Sequence, residues 1–263
     1  MKLRKGWIFT VFLAAAACVS ISSSSVCGQA ASADKEKAPA PQRTGEDQKK
    51  GSAAGSVPVY KPPLRGSPGG RVGGGTRGAS LEAPVSLSVL VPDHVGLTLQ
   101  SQPNLYWFIS RKPAQPVEFT LMEKDAGKPL VEARLKPLEK AGIQRIPLAN
   151  YGVQLRRNVL YKWFVALITD PDRRSRDILS GGMIEVVSPS PDLSAKLSQV
   201  AKAKQPFLLA EQGLWYDALS GVSEKIDAAP RDLSVRKQRA ALLEQVGLKE
   251  AAEFDLKEAR SLQ

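Results

Sequence analysis

From Val85 to Val187 apolar and polar residues alternate with a period of two, in short runs. Val85, Leu87 and Val89 alternate with Ser86 and Ser88, and Leu97-Thr98-Leu99 alternates again. Leu105 to Ile109 is aromatic and bulky; Val117 to Met122, Leu130 to Leu135, Ile143 to Leu148, Val159 to Thr169 and Met183 to Val187 follow. Turn signals separate the runs: Pro92-Asp93, Gln102-Pro103-Asn104, Asp125-Ala126-Gly127, Ala141-Gly142, Asn150-Tyr151-Gly152 and Asp170-Pro171-Asp172. Alternation bounded by turn residues predicts strands. About eight of them, with no long helical run between, predict an immunoglobulin-like antiparallel β-sandwich. Trp107 and Trp163 lie in the two most apolar strands and are expected in its core. Tyr161, just inside its strand, stands where a tyrosine corner is often found.

From Pro191 the period becomes helical. Ser190-Pro191-Asp192 has the makings of a helix start, with proline suited to the first helical position. Leu193, Leu197 and Val200 share one face; Trp215, Leu219, Val222 and Ile226 share another, and Leu248, Ala252 and Leu256 a third. Gly213 and Gly247 are expected helix stops. Gly213 to Ala218 resembles Gly247 to Ala252 in its Gly-Leu start and final alanine, and Ala218 precedes Ala252 by 34 residues. That is the period of tetratricopeptide helix pairs, and fewer than the three repeats that stand alone are present. The tail is therefore expected to pack on the sandwich. Trp215 and Tyr216 are expected as packing residues, with the lining of a ligand groove as the other reading.

The stretch Asp34 to Ser80 is rich in Lys, Pro, Gly, Ser and Ala and cannot bury enough apolar surface to offset ordering entropy. It predicts a disordered linker, except that Val57 to Leu64 could lie extended against the next domain. Upstream, Lys2, Arg4 and Lys5 precede an apolar run from Trp7 to Val19, then serines and the small-residue patterns Gly28-Gln29-Ala30 and Ala31-Ser32-Ala33. That is the layout of a cleavable signal peptide. About 13 apolar residues are too few for a bilayer core that needs roughly 20. A rival reading makes Cys18, after Ala15-Ala16-Ala17, a lipidated cysteine. The expected layout is signal peptide 1–33, linker 34–80, β-sandwich 81–190 and helical tail 191–263. The chain is expected to be exported, periplasmic or secreted, and without a transmembrane segment in its mature form.

Export changes the chemistry. Cleavage removes Cys18 and Cys27, the only cysteines, and with them disulfides, thiolate zinc sites and cysteine nucleophiles. The formal charge of +11 loses three of its 37 basic residues and no acidic ones, leaving 34 Lys+Arg against 26 Asp+Glu, or +8. Such a charge favours a protein or anionic envelope polymer as partner, or serves solubility alone; nucleic acid is not expected in that compartment.

Candidate sites are few. Gly73, Gly75 and Gly78 satisfy Gly-x-Gly-x-x-Gly, but no strand precedes them and no helix follows. Gly69 and Gly74 have Walker spacing, but Gly75 stands where the lysine belongs. Nucleotide binding is not expected, and no cofactor or metal. His94 is the only histidine and sits in a turn, too little for a hydrolytic triad or a multi-histidine zinc site. Arginines remain: Arg71 and Arg77 in the glycine block, and Arg173, Arg174 and Arg176 in the loop Asp170 to Asp177, which could bind an anionic group or pair with their own acids.

The glycine block Gly69 to Gly78, Leu87 to Pro92, Leu97-Thr98-Leu99, Pro103 to Trp107, Tyr161-Lys162-Trp163 and Gly213 to Leu219 together resemble the bacterial family catalogued as domain of unknown function 928. The resemblance covers about residues 57 to 260. Relatives often carry a cysteine shortly after the glycine block, where Ser80 stands here. The family supplies no activity and no catalytic residues. The expected function is thus an exported, non-enzymatic interaction module. A carboxylate-dependent hydrolase using Asp170, Asp172 or Glu185, and a purely structural envelope protein, are the alternatives.

Overall fold

Each alternating run forms a strand in the computed structural model, which describes residues 56–63, 70–73 and 85–261. The strands are β1 (Leu87–Val89), β2 (Gly96–Thr98), β3 (Asn104–Ile109), β4 (Val117–Glu123), β5 (Val131–Arg134), β6 (Gly142–Pro147), β7 (Leu160–Leu167) and β8 (Ile178–Val186). They form two sheets, of order β1-β3-β6 and β2-β8-β7-β4-β5. The alternation sorts the faces. Val117, Phe119 and Leu121 of β4 are buried while Glu118, Thr120 and Met122 are partly exposed. On β7, Tyr161, Trp163, Val165 and Leu167 are buried. Leu87, Val89, Leu105 and Trp107 of the smaller sheet belong to the same apolar core. Both tryptophans expected in the core are fully enclosed.

One pairing departs from an all-antiparallel arrangement. β2 runs parallel to β8, with Leu97 opposite Glu185, whereas every other pair is antiparallel. Alternation reports which face is buried, but it carries no information about the neighbour or its direction. Beside this pair, β8 carries Gly181-Gly182. A Cβ on Gly182 would come within 2.6 Å of Val91 Cγ2, so only a bare backbone lets residues 90–95 cross between the sheets there.

Five helices follow: α1 (Pro191–Gln199), α2 (Gln205–Glu211), α3 (Trp215–Ala228), α4 (Leu233–Gln245) and α5 (Lys249–Ser261). Ser190 caps α1 by accepting the Leu193 N–H at 3.1 Å, with Pro191 in the first turn. Gly213 and Gly247 end α2 and α4 with positive φ of 74° and 76°. Trp215, Leu219, Val222 and Ile226 are buried, as are Ala218 and Ala252 at equivalent places in α3 and α5.

One helix contact was invisible to a hydropathy reading. Asp255 of α5 is buried and accepts from two nitrogens of Arg239, Nε at 2.8 Å and Nη2 at 2.6 Å, plus Arg236 Nη1 at 2.9 Å. The bidentate pair faces inward, and Arg239 also donates to Ser223 of α3.

The helices are tied to the sheets. Trp215 Nε1 donates to the Leu90 carbonyl at 2.8 Å, and α5 meets β6, where Phe254 packs edge-on against Phe108 of β3. Within the expected linker, residues 56–63 form the extended segment read for Val57 to Leu64, lying against the helices; residues 70–73 are also held in place, so the expectation of disorder is corrected for those. Tyr60 is buried edge-on against Trp215. Its N–H donates to Gln245 Oε1, while Gln245 Nε2 donates to the Pro58 carbonyl. Lys61 N–H reaches Ala210, and Val72 bridges Gly181. A short apolar strap with its hydrogen bonds satisfied gains more than its ordering costs, which composition averaged over 34–80 conceals. The segment 1–33 expected to be a signal, with Cys18 and Cys27, and Arg77 lie outside the described residues.

Candidate functional site

The loop between β7 and β8 holds Arg173, Arg174 and Arg176 together, each facing an acid. Arg174 binds Glu118 and Asp177, both at 2.6 Å. Arg173 and Arg176 lie 3.9 Å and 3.7 Å from Asp170. Arg71 is turned elsewhere. Its guanidinium contacts Asp93 at 2.7 Å and the carbonyls of Val91 and Val246, clipping the lead-in to both the sheet region and the end of α4. Arg71, Arg173, Arg174 and Arg176 are thus each paired with an acid within the protein, and Arg71 is not brought together with the loop.

His94 serves the same clip. Its Nε2 lies 2.9 Å from the Tyr60 hydroxyl, and the rings stack. Burial holds the imidazole below its usual pKa, with Asp93 opposing. Of the acids, Asp170 Oδ1 accepts the Asp172 N–H in a local turn. Glu185 stands opposite Leu160, whereas Ile178 stands opposite Leu167, so Glu185 is seven residues along β8 from the loop end. At ~3.4 Å per residue that is roughly 24 Å. Glu185 and the loop aspartates do not face one cleft.

A different group of residues does converge. A cavity of about 650 Å³ opens between β2, the β2–β3 turn, the 3₁₀ turn Lys202–Lys204, α2 and α3. The sheet side contributes Thr98, Gln100, Gln102 and Asn104; the helical side contributes Gln205, Asp217, Ser220, Glu224 and Lys225. Gln102 and Gln205 donate through Nε2 to the carbonyls of Val153 and Leu197, each at 3.1 Å. Asn104 Nδ2 donates to Ser220 Oγ, and Ser220 donates to Glu224 Oε1, both at 3.0 Å. Lys225 donates to the Ala203 carbonyl and lies over the Phe207 ring, 5.4 Å from its centre.

Asp217, in the first turn of α3, joins the two sides. Its Oδ2 accepts the Leu99 N–H at 3.0 Å. Burial pushes its carboxyl up to about 6, although hydrogen bonds from Leu99 and Thr98 work in the opposite direction. Lys225 is shifted down by its own burial. Tyr216 forms the back of the cavity: its ring lies where a Cβ on Gly96 would come within 2.6 Å, so β2 needs glycine there. Of these residues only Tyr216 is read from the sequence as possible groove lining. The others are scattered polar residues of ordinary type, brought together by the packing of α3 on β2.

Among the described residues no group of three or more His, Cys, Asp or Glu side chains could hold a metal ion, and no helix is long and apolar enough to cross a membrane.

These features define a β-rich protein with a helical C-terminal part and a polar cleft at their junction. The chain belongs to the family described as Domain of Unknown Function (DUF928), whose model matches residues 72–256. A search of curated proteins finds no match. Among solved structures, a multi-domain immunophilin from Arabidopsis thaliana is similar at 9% identity, covering 69% of this chain and 95% of that one with a TM-score of 0.17. A likeness that slight carries no argument.

Proposed function

We propose that this chain is an exported, non-enzymatic interaction module that binds an envelope or surface component in the cleft between β2 and α3. The scaffold is of a binding type. An immunoglobulin-like reading is supported by the order β8-β7-β4-β5, which reproduces the G-F-C-C′ order of such sandwiches. It is supported also by Tyr161, whose hydroxyl accepts the Arg156 N–H at 3.0 Å, as the hydroxyl of a tyrosine corner turns back on the chain just before it. A tetratricopeptide-like reading of the tail is supported by two successive helix pairs, α2–α3 and α4–α5, with Ala218 and Ala252 buried 34 residues apart.

The observation that carries the proposal is the cleft itself. Its size falls in the ~300–1,000 Å³ range of small-ligand sites, and its polar groups converge from two parts of the chain. Of the arginines named from sequence, Arg71, Arg173, Arg174 and Arg176 are weaker candidates because each faces an acid within the protein. A hydrolase is also less well supported. Glu185 stands seven residues along β8 from the loop end that carries Asp170 and Asp172, so the carboxylates named for that reading do not share a cleft.

The test is ligand-observed NMR of soluble fractions from an envelope extract, against the mature protein and Ser220→Trp, whose indole fills the cleft. Signals that broaden with the wild type and recover with the variant support the proposal. Equal broadening by both would place binding elsewhere.

A further inference from the structure

Four amides line the cleft: Gln100, Gln102 and Asn104 from the sheet side, and Gln205 from α2. Gln102, Asn104 and Gln205 each give one N–H to the protein, to Val153, Ser220 and Leu197. Such a bond orients the amide and leaves a second N–H beside its carbonyl oxygen. Gln100 is exposed, and its side chain has no partner among the described residues. Each amide therefore offers a donor and an acceptor side by side. Formal charge in the same lining cancels, with Asp217 and Glu224 against Lys202 and Lys225. Three of these four are already bonded within the protein: Asp217 to the Leu99 N–H, Glu224 to Ser220 and Lys225 to the Ala203 carbonyl.

We infer that the cleft binds a neutral oligosaccharide, whose hydroxyls pair with the amides of Gln100, Gln102, Asn104 and Gln205. This rests on the cleft being the binding site and names the chemistry it selects. A sugar hydroxyl carries one donor and its acceptor lone pairs on the same oxygen, and an amide edge that donates and accepts at once is its complement. A charged ligand of either sign would meet a like charge in this lining for each opposite one, and would shed its hydration for little return. Pro103, Pro206 and Leu209 give the C–H face of a sugar ring an apolar surface to lie on. Pro206 rests directly on the backbone of α3, since a Cβ at Gly221 would come within 2.7 Å of its Cγ. Along α3 the lining runs from Asp217 to Ala228, 11 residues or about 16 Å, a length suited to a chain of rings.

An extended peptide also alternates donors and acceptors, but it is recognised by adding to a backbone edge. The edge strand β2 is closed to that. Its neighbour Leu99 gives its N–H to Asp217, and the Tyr216 ring lies against Gly96. What the cleft presents is side-chain amides.

The experiment is a saturation-transfer NMR titration of the mature protein with cellotetraose, chitotetraose, tetragalacturonate, spermidine and N-acetyl-tetraalanine amide, at low and at high salt. Gln100→Leu and Ser220→Trp are titrated alongside, and a melting curve for each confirms folding. Because Gln100 is exposed, its variant removes one amide without disturbing the packing. Binding of either neutral saccharide, unchanged by salt, about fivefold weaker in Gln100→Leu and abolished in Ser220→Trp, supports the inference. Cellotetraose alone binding identifies a plain hexose chain, and chitotetraose alone an N-acetylated one. Saccharide binding that either variant leaves unchanged, or that high salt weakens, overturns it. Binding of the acid, the amine or the peptide in place of the saccharides, lost in Ser220→Trp, overturns the saccharide assignment and leaves the cleft as the site. No binding by any of the five overturns the saccharide assignment alone, and the cleft is then judged by the extract experiment.

Discussion

Trp163 Nε1 donates a 2.9 Å hydrogen bond to the hydroxyl of Tyr216, which in turn donates to the Met183 carbonyl at 3.0 Å. The first residue lies in the centre of the larger sheet and the second at the start of α3, and both are fully buried. This relay joins the sheet to the helices with a proton assigned at each step. Tyr216→Phe keeps the ring and leaves the indole N–H and one carbonyl without a partner. Its expected cost is about 1–3 kcal/mol, read from urea unfolding followed by tryptophan fluorescence. A variant as stable as the wild type would mean that the relay contributes nothing to the junction.

Asp255 is expected to be the most sensitive charge in the tail. Asp255→Ala strands Arg239 and leaves Arg236 without its anion, and breaking a buried pair from one side costs about 3–5 kcal/mol. Circular dichroism at 222 nm during thermal unfolding should show early loss of helix. Exposed Arg145, which pairs with Asp227, is the control; its alanine variant should change stability by less than about 1 kcal/mol.

The raised Asp217 carboxyl makes a prediction with a definite sign. Between its unfolded value near ~3.9 and about 6 in the folded protein, the folded state binds more protons than the unfolded one. This group therefore favours folding as pH falls through that window, and opposes it at pH 7. Asp217→Asn should be more stable than the wild type at pH 7, by on the order of 1–3 kcal/mol, and the difference should shrink toward pH 4.5. His94, held below its usual value, acts oppositely, losing stability as pH falls below ~6.5. The difference between wild type and variant isolates Asp217, and a difference flat in pH would refute this assignment.

Tyr60 anchors the strap, so a protein beginning at residue 81 should be less stable than one beginning at residue 51. Tyr60→Ala, which empties the space beside Trp215, should account for about 3 kcal/mol of it. Differential scanning calorimetry of the three proteins decides this; equal melting temperatures would show the strap to be a passive lead-in.

Mass spectrometry of protein recovered from its native cells tests export. Cleavage after Ala30 or Ala33 gives an unmodified start; a lipid-bearing Cys18 gives the anchored form. An intact Met1 in the recovered protein would remove export from the proposal.

The periodicities carried most of the architecture. Leu87 and Val89, Phe119 and Leu121, and Trp163 and Val165 announced their strands because one face of each is buried and the other wet. Gly213 and Gly247 marked helix ends because a positive φ favours glycine. Direction and partnership did not follow: β2 alternates like any edge strand, yet lies parallel to β8. Nothing in the sequence marks Arg239 and Asp255 as partners; the packing of α5 on α4 brings them together. The cleft was hidden for the same reason. Asn104 and Ser220 are 116 positions apart, and nothing local to either reports the other.

The strap places a constraint on the order of events during folding. Pro58 and Tyr60 find their partner in Gln245, some 185 residues later, so this closure waits until almost the whole polypeptide has been made. Contacts of such long sequence separation form slowly because a large loop must close first. A chain emerging amino end first would hold its strap open until the last helices arrive, and Tyr60 then closes the fold like the final stitch of a seam.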